Sequence, residues 1–113
     1  MVVDLPNVKS VVFTEEQGSY LAGVMAGMAS KTGTVGFVGG MDIPLIRKFG
    51  CGYAQGVVSV KPDAKVIQNM TGTTGAAWND PVKGGEIAKA QKSHTTRRCR
   101  LRFFSRSQRP QTR

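Results

Sequence analysis

Apolar residues recur along this chain in two alternating rhythms, short β-branched runs and longer stretches at helical spacing, and the alternation predicts its elements. Val11-Val12-Phe13 reads as the end of a buried strand. Thr14-Glu15-Glu16-Gln17 follows as a capping box, the Thr hydroxyl accepting from the backbone of residue 17 and the Gln amide reaching back. Tyr20, Leu21, Val24, Met25 and Met28 then recur at helical spacing, with Ala22, Gly23, Ala26, Gly27 and Ala29 between them. That pattern predicts a helix over about 15–30 whose Met and aromatic stripe faces the core. Lys31 and Gly33 are stop signals. Val35-Gly36-Phe37-Val38, ended by Gly39-Gly40, has the character of a strand buried on both faces. Asp42 is placed to cap a helix with Pro44 in its first turn and Leu45, Ile46, Phe49, Tyr53 and Val57 on its apolar face, reaching about residue 60. Pro62-Asp63 turns the chain into a strand over 65–70, and a Gly/Thr/Ala loop leads to Asp80-Pro81, the cap and first turn of a last helix through Val82, Ile87, Ala88 and Ala90. The predicted order is β-α-β-α-β-α, an α/β chain with parallel pairing and right-handed crossovers.

Charge divides the chain where the periodicity ends. Residues 1–92 carry all seven acids against nine basic residues, a net of +2, whereas residues 93–113 carry seven Arg and no acid. Before residue 93 the basic residues are eight Lys and Arg47; beyond it there is no Lys. The total of +9 suggests a nucleic-acid or anionic-membrane partner, but it belongs to the tail rather than to the fold. At 113 residues and 40% hydrophobic, the chain suits one small domain, not a two-lobed cleft. Cys51 and Cys99 have no metal-ligand spacing; two free thiols is the favoured reading over a disulfide. No stretch approaches the length of a membrane span, and no export signal is visible at the start.

Chemistry is expected beyond the carboxyl ends of the strands, where open parallel sheets bind ligands. Those ends are Gly39-Gly40-Met41-Asp42 and Thr71-Gly72-Thr73-Thr74, both leading toward helix N-termini. Met41, Asp42 and Trp78 are the candidate ligand-binding residues. Asp42 can accept from a sugar hydroxyl or an amine, although capping is the favoured role. Trp78 can stack on a planar ring or, equally, staple a helix start to the sheet. There is no Walker A pattern and no G-x-G-x-x-G spacing. No Cys/His pair, Ser/His/Asp grouping or carboxylate cluster points to catalysis, so the expectation is a binding protein without cofactor or metal, not an enzyme.

Three motifs carry a resemblance: Phe13-Thr14-Glu15-Glu16-Gln17-Gly18-Ser19-Tyr20-Leu21-Ala22-Gly23, then Thr34 through Ile46 (TVGFVGGMDIPLI), and Asp80-Pro81-Val82-Lys83-Gly84. Over residues 2–92 the chain resembles the basic membrane protein (BMP) family, substrate-binding lipoproteins of ABC transporters that include purine-nucleoside receptors. The resemblance implies a fragment of a type I periplasmic-binding-protein fold, in which two α/β lobes close over a small solute, often a nucleoside, and deliver it to ABC permease subunits. It further implies an extracytoplasmic, lipid-anchored place at the cell membrane for the intact parent. Residues 1–31 would close the first lobe and cross over, and residues 32–92 would open the second. The family's principal nucleoside contacts fall outside this stretch, so none is carried over. From residue 93 the chain departs from the family pattern. Arg without Lys or acids is what an out-of-frame reading of GC-rich DNA produces, and residues 93–113 are read as a frameshifted tail. An intact lobe sequence in another frame just downstream of the locus supports that; its absence sinks it. The alternative function is a basic nucleic-acid or anionic-surface binder, with Arg97–Arg113 contacting phosphates and Phe103 and Phe104 stacking on bases. A small nucleotide-dependent enzyme is weaker still, because the phosphate fingerprints are missing.

Overall fold

The computed structural model describes residues 2–96. The Arg-rich stretch 97–113, and with it Cys99, Phe103 and Phe104, lies outside the described residues. The elements run α1 (Glu15–Ala29), β1 (Thr34–Met41), α2 (Pro44–Val60), β2 (Lys65–Gly72), a 3-10 turn (Gly75–Asn79) and α3 (Pro81–Thr96). β1 and β2 pair in parallel from Thr34 opposite Lys65 to Met41 opposite Gly72, so the α/β class and the parallel pairing stand as expected. β1 runs through Gly39-Gly40 to Met41 rather than ending at the glycines.

The strand expected at residues 11–13 is not formed. Val11, Val12 and Phe13 stand 75%, 68% and 75% exposed, outside any regular element and without a backbone partner among the described residues. A β-branched run is a strand only where an edge receives its N–H and C=O groups, and among the described residues neither strand pairs with it. The capping box also forms differently. The Thr14 hydroxyl donates to Oε1 of Gln17 at 3.1 Å, and the residue 17 amide bonds the Thr14 carbonyl instead of its hydroxyl.

α1 meets α2 through its small residues, not its large ones. Ser19, Gly23 and Gly27 are the buried residues of α1, while Leu21, Met25 and Met28 stand 64%, 70% and 74% exposed. The expectation of an inward Met stripe is therefore reversed. A Cβ on Gly23 would run into the Tyr53 carbonyl, one on Gly56 into that of Tyr20, and one on Gly52 into that of Glu16. With glycine on both helices the backbones approach far closer than side chains normally allow. The contacts advance in step, Glu16 with Gly52, Tyr20 with Gly56 and Gly27 with Val57, so the two helices run parallel. The pair is tied at one end by Ser19, whose hydroxyl donates to the Phe49 carbonyl, and at the other by Lys61, whose ammonium donates to the Ser30 carbonyl. Gly33 leaves α1 at a φ of 71°, a left-handed conformation that suits glycine.

The sheet sits between two helical layers. On one face Phe37 and Tyr53 pack with ring centroids 5.8 Å apart, and Gln68 donates to the Gly50 carbonyl at 3.0 Å, joining α2 to both strands. Burial pushes the Tyr53 hydroxyl pKa up. On the other face Gln91 of α3 is buried, its amide donating to the carbonyls of Phe37 and Ile67 and to Oδ1 of Asn69. A Cβ on Gly36 would occupy the place of that amide. α1 lies outside α2, away from the sheet. Among the described residues the buried apolar side chains are only Val35 and Val57.

Candidate functional site

The carboxyl ends of β1 and β2 gather the residues singled out for ligand binding. Met41 is the last residue of β1, opposite Gly72, and the next backbone N–H, of Asp42, still bonds the Gly72 carbonyl at 2.9 Å. The chain then tightens: the Ile43 N–H bonds the Met41 carbonyl at 2.9 Å, and the Ile43 carbonyl accepts from Arg47 as α2 begins. Ile43, not Asp42, is the N-cap of α2, with Pro44 in the first turn. Asp42 instead holds Arg47 in a two-pronged pair, Nε to Oδ1 at 2.7 Å and Nη2 to Oδ2 at 3.0 Å. The fork geometry of guanidinium matches a carboxylate, which is why Arg makes this contact. Hydrogen bonding from Arg47, aided by its charge, holds the Asp42 carboxyl below its usual range and raises Arg47 in turn. The capping role favoured for Asp42 is thus replaced by an ion pair at the sheet's end. Its carboxylate keeps acceptor capacity on the sides Arg47 does not occupy.

Trp78 reaches the same end from the other strand. Its ring lies against Gly40, where an added Cβ would come within 2.6 Å of the six-membered ring. The 3-10 turn that carries it is anchored by Thr71, buried in β2, whose hydroxyl faces the carbonyls of Gly40 at 3.0 Å and Ala77 at 2.9 Å. Trp78 therefore does staple the approach to α3 onto β1, yet 56% of it remains exposed. Asp80 caps α3 as expected, its Oδ1 accepting from the Lys83 N–H at 2.9 Å. Sequence reasoning missed Thr71 and Arg47. Arg47, as the lone Arg of the body placed five residues beyond Asp42, carried a signal; a buried Thr in a Thr-rich loop did not.

A concavity of about 550 Å³ lies between α1 and α2 beside Glu16, Tyr20, Leu21, Lys48 and Cys51. It is flanked by the helix pair and not by the strand ends. Cys51 is an exposed free thiol. Among the described residues no group of three or more His, Cys, Asp or Glu could hold a metal ion, and no helix is long and apolar enough to cross a membrane.

A family model described as "ABC transporter substrate-binding protein PnrA-like" matches residues 2–95. The chain belongs to this family. The PnrA-like family is one of substrate-binding proteins. Among its curated relatives, the chain is 41% identical over 90 residues to "ABC transporter nucleoside-binding protein BmpA" of Lactococcus lactis subsp. cremoris, 80% of this chain and 24% of that protein. It is 46% identical over 63 residues to "CD4+ T-cell-stimulating antigen" of Listeria monocytogenes, 56% of this chain and 18% of that protein. It is 38% identical over 69 residues to "Basic membrane protein D" of Borreliella burgdorferi, 61% of this chain and 20% of that protein. The chain thus spans about a quarter or less of the length of these relatives.

Proposed function

We propose that this chain is part of the solute-binding component of an ABC importer and that the strand ends carrying Met41, Asp42 and Trp78 form one wall of its ligand cleft, with a nucleoside as ligand. In this reading residues 1–31 close the first lobe and cross over through α1, residues 32–92 open the second lobe, and residues 93–113 are a tail outside it. The intact parent is held outside the membrane by a lipid anchor and docks on permease subunits. The observation that carries the site is the Trp78 ring laid on Gly40, half-exposed, at the carboxyl end of a parallel strand pair. A flat aromatic face and a paired carboxylate at one strand end suit a ligand with both a planar ring and hydroxyl groups. The name of the Lactococcus relative, a nucleoside-binding protein, supports the choice of a nucleoside.

One wall offers a fraction of the contacts of a closed cleft, so the chain by itself should bind nucleosides more weakly than micromolar. Titration with inosine, guanosine and adenosine should shift the backbone resonances of residues 39–42 and 71–79 and quench the emission of Trp78, the sole tryptophan. Sugars and amino acids should not. Shifts confined to the groove between α1 and α2 would remove the site, and an equal response to an amino acid would remove the nucleoside. A micromolar or tighter dissociation constant would refute the one-wall reading.

A further inference from the structure

Two glycines of β1 receive side chains on the same face of the sheet. A Cβ on Gly36 would strike the Gln91 amide, and one on Gly40 would strike the Trp78 ring. The two positions lie four residues apart along β1, so the alternation of the strand turns both toward α3. A polar residue of β2 completes each seat. Asn69 Oδ1 accepts from Gln91 at 2.9 Å, and the Thr71 hydroxyl lies 3.0 Å from the Gly40 carbonyl and 2.9 Å from that of Ala77. The same device is built twice with different occupants. In the first seat a buried Gln91 locks α3 to the strands. The second holds an aromatic ring at the carboxyl end of the sheet.

This second seat leaves Trp78 little choice of attitude. Its ring lies on bare backbone, because a Cβ at residue 40 would come within 2.6 Å of the six-membered ring. Ala77, the residue before it, is held at its carbonyl by Thr71 and at its N–H by the Thr74 carbonyl, 3.0 Å away. Thr71 is buried, and its hydroxyl has one proton to offer a carbonyl of β1 and a carbonyl of the turn. Without the hydroxyl both carbonyls lose that donor, and the turn loses its tie to the strand. A ring whose two χ angles are set in advance gives up less freedom when a second ring stacks on it.

We propose that Thr71 and Gly40 are positioning residues of the ligand wall. They fix the plane of the Trp78 ring against β1, so that a solute's ring meets it in one orientation, on the face turned away from Gly40. Both act through Trp78 rather than by contact with the solute. The role rests on the reading of the strand ends as the ligand wall.

The full chain carries a single tryptophan, so tryptophan emission reports this seat alone. Thr71→Val, which keeps the shape and removes the hydroxyl, should raise the acrylamide quenching of Trp78 and diminish its near-ultraviolet circular dichroism. Gly40→Ala should do the same by displacing the ring with the hydroxyl intact. Thr71→Ser should keep the wild-type values. Ser19→Ala removes a hydroxyl-to-carbonyl bond from the α1–α2 contact and should leave the ring signals unchanged, which separates loss of the seat from loss of stability. In titrations with inosine, followed by the backbone resonances of residues 39–42 and 71–79, Thr71→Val and Gly40→Ala should bind about tenfold more weakly, the equivalent of one hydrogen bond, and Thr71→Ser as the wild type. Should Thr71→Val fail to fold, Gly40→Ala decides by the same readings. Ring signals that stay at wild-type values in the Val and Ala variants overturn the proposal, as does a ring set loose with inosine affinity unchanged. A wild type in which inosine shifts nothing at the strand ends removes the ligand reading, and the positioning role with it, whatever the ring signals show.

Discussion

Gln91 has one amide nitrogen and three oxygens around it, from Phe37, Ile67 and Asn69, within 3.3 Å. A buried amide with its partners satisfied fixes where α3 sits on the sheet. Gln91→Ala strands those partners and should cost about 1–3 kcal/mol in urea unfolding. Gln91→Glu, which adds a buried charge, should be worse. At the strand ends the pair Asp42–Arg47 sets a different expectation. The folded Asp42 pKa is depressed, so its small contribution to stability is present above the unfolded carboxyl pKa and is lost as pH falls through the folded value, in the acid range below about pH 4. Carboxyl NMR should show Asp42 titrating below its ordinary range in the chain and returning to it in Arg47→Met. Asp42 and Met41 were legible as strand-end residues because an open parallel sheet directs attention there. What the residue order could not give was the partner: an Asp two positions before a Pro reads as a cap, and only the turn at Ile43 releases it to Arg47.

The helices show why periodicity finds an element more readily than its inward face. Helical spacing located α1 and α2 to within about a residue, since 3.6-residue recurrence survives whichever side is buried. The face was misread because hydrophobicity assigns the largest apolar residues inward, whereas two glycine rows, Gly23 with Gly27 and Gly52 with Gly56, bring the backbones together and leave Leu21, Met25 and Met28 outside. The repeated Gly-x-x-x-Gly was the available signal. It makes a sharp contrast within one helix. Gly23→Ala, driven into the Tyr53 carbonyl, should lower stability by roughly 1–3 kcal/mol or more. Gly18→Ala, with nothing within 4 Å of its Cβ, should raise stability by about 0.5–1 kcal/mol through helix propensity. Thermal or urea unfolding of the two variants reads both signs. The segment 11–13 was misread for the complementary reason: a strand is a relation between two segments, and composition describes one.

For the whole molecule, charge and fold belong to different stretches. The described residues together with Met1 carry a net of +2, and all seven Arg of the tail fall within 97–113, just past the end of the family match at residue 95. Any affinity of the chain for single-stranded RNA is expected to reside in that stretch. Deleting residues 97–113 should abolish it, and in the full chain the slope of log affinity against log salt should be no steeper than about −5, from seven phosphate contacts. Filter binding across a salt series measures both. A salt-sensitive affinity retained by residues 1–96 would place a basic surface on the body after all. The family was legible from residues 13–23, 34–46 and 80–84 because those stretches hold the helix starts and strand ends together. The size of the described core was not, because counting apolar residues does not reveal how few find cover.

The contact between α1 and α2 has a thermodynamic side. Packing a Met or Leu into a core freezes rotamers, at a cost that rises with side-chain length. Glycine has no side chain to freeze, and the carbonyls of Glu16, Tyr20 and Tyr53 that face it are already fixed by their helices. Among the described residues, this closest of the helix contacts is thus also one that surrenders little side-chain entropy on forming. As temperature rises and the entropic penalty of order grows, this helix pair should hold its native contact after the strands and α3 have let go.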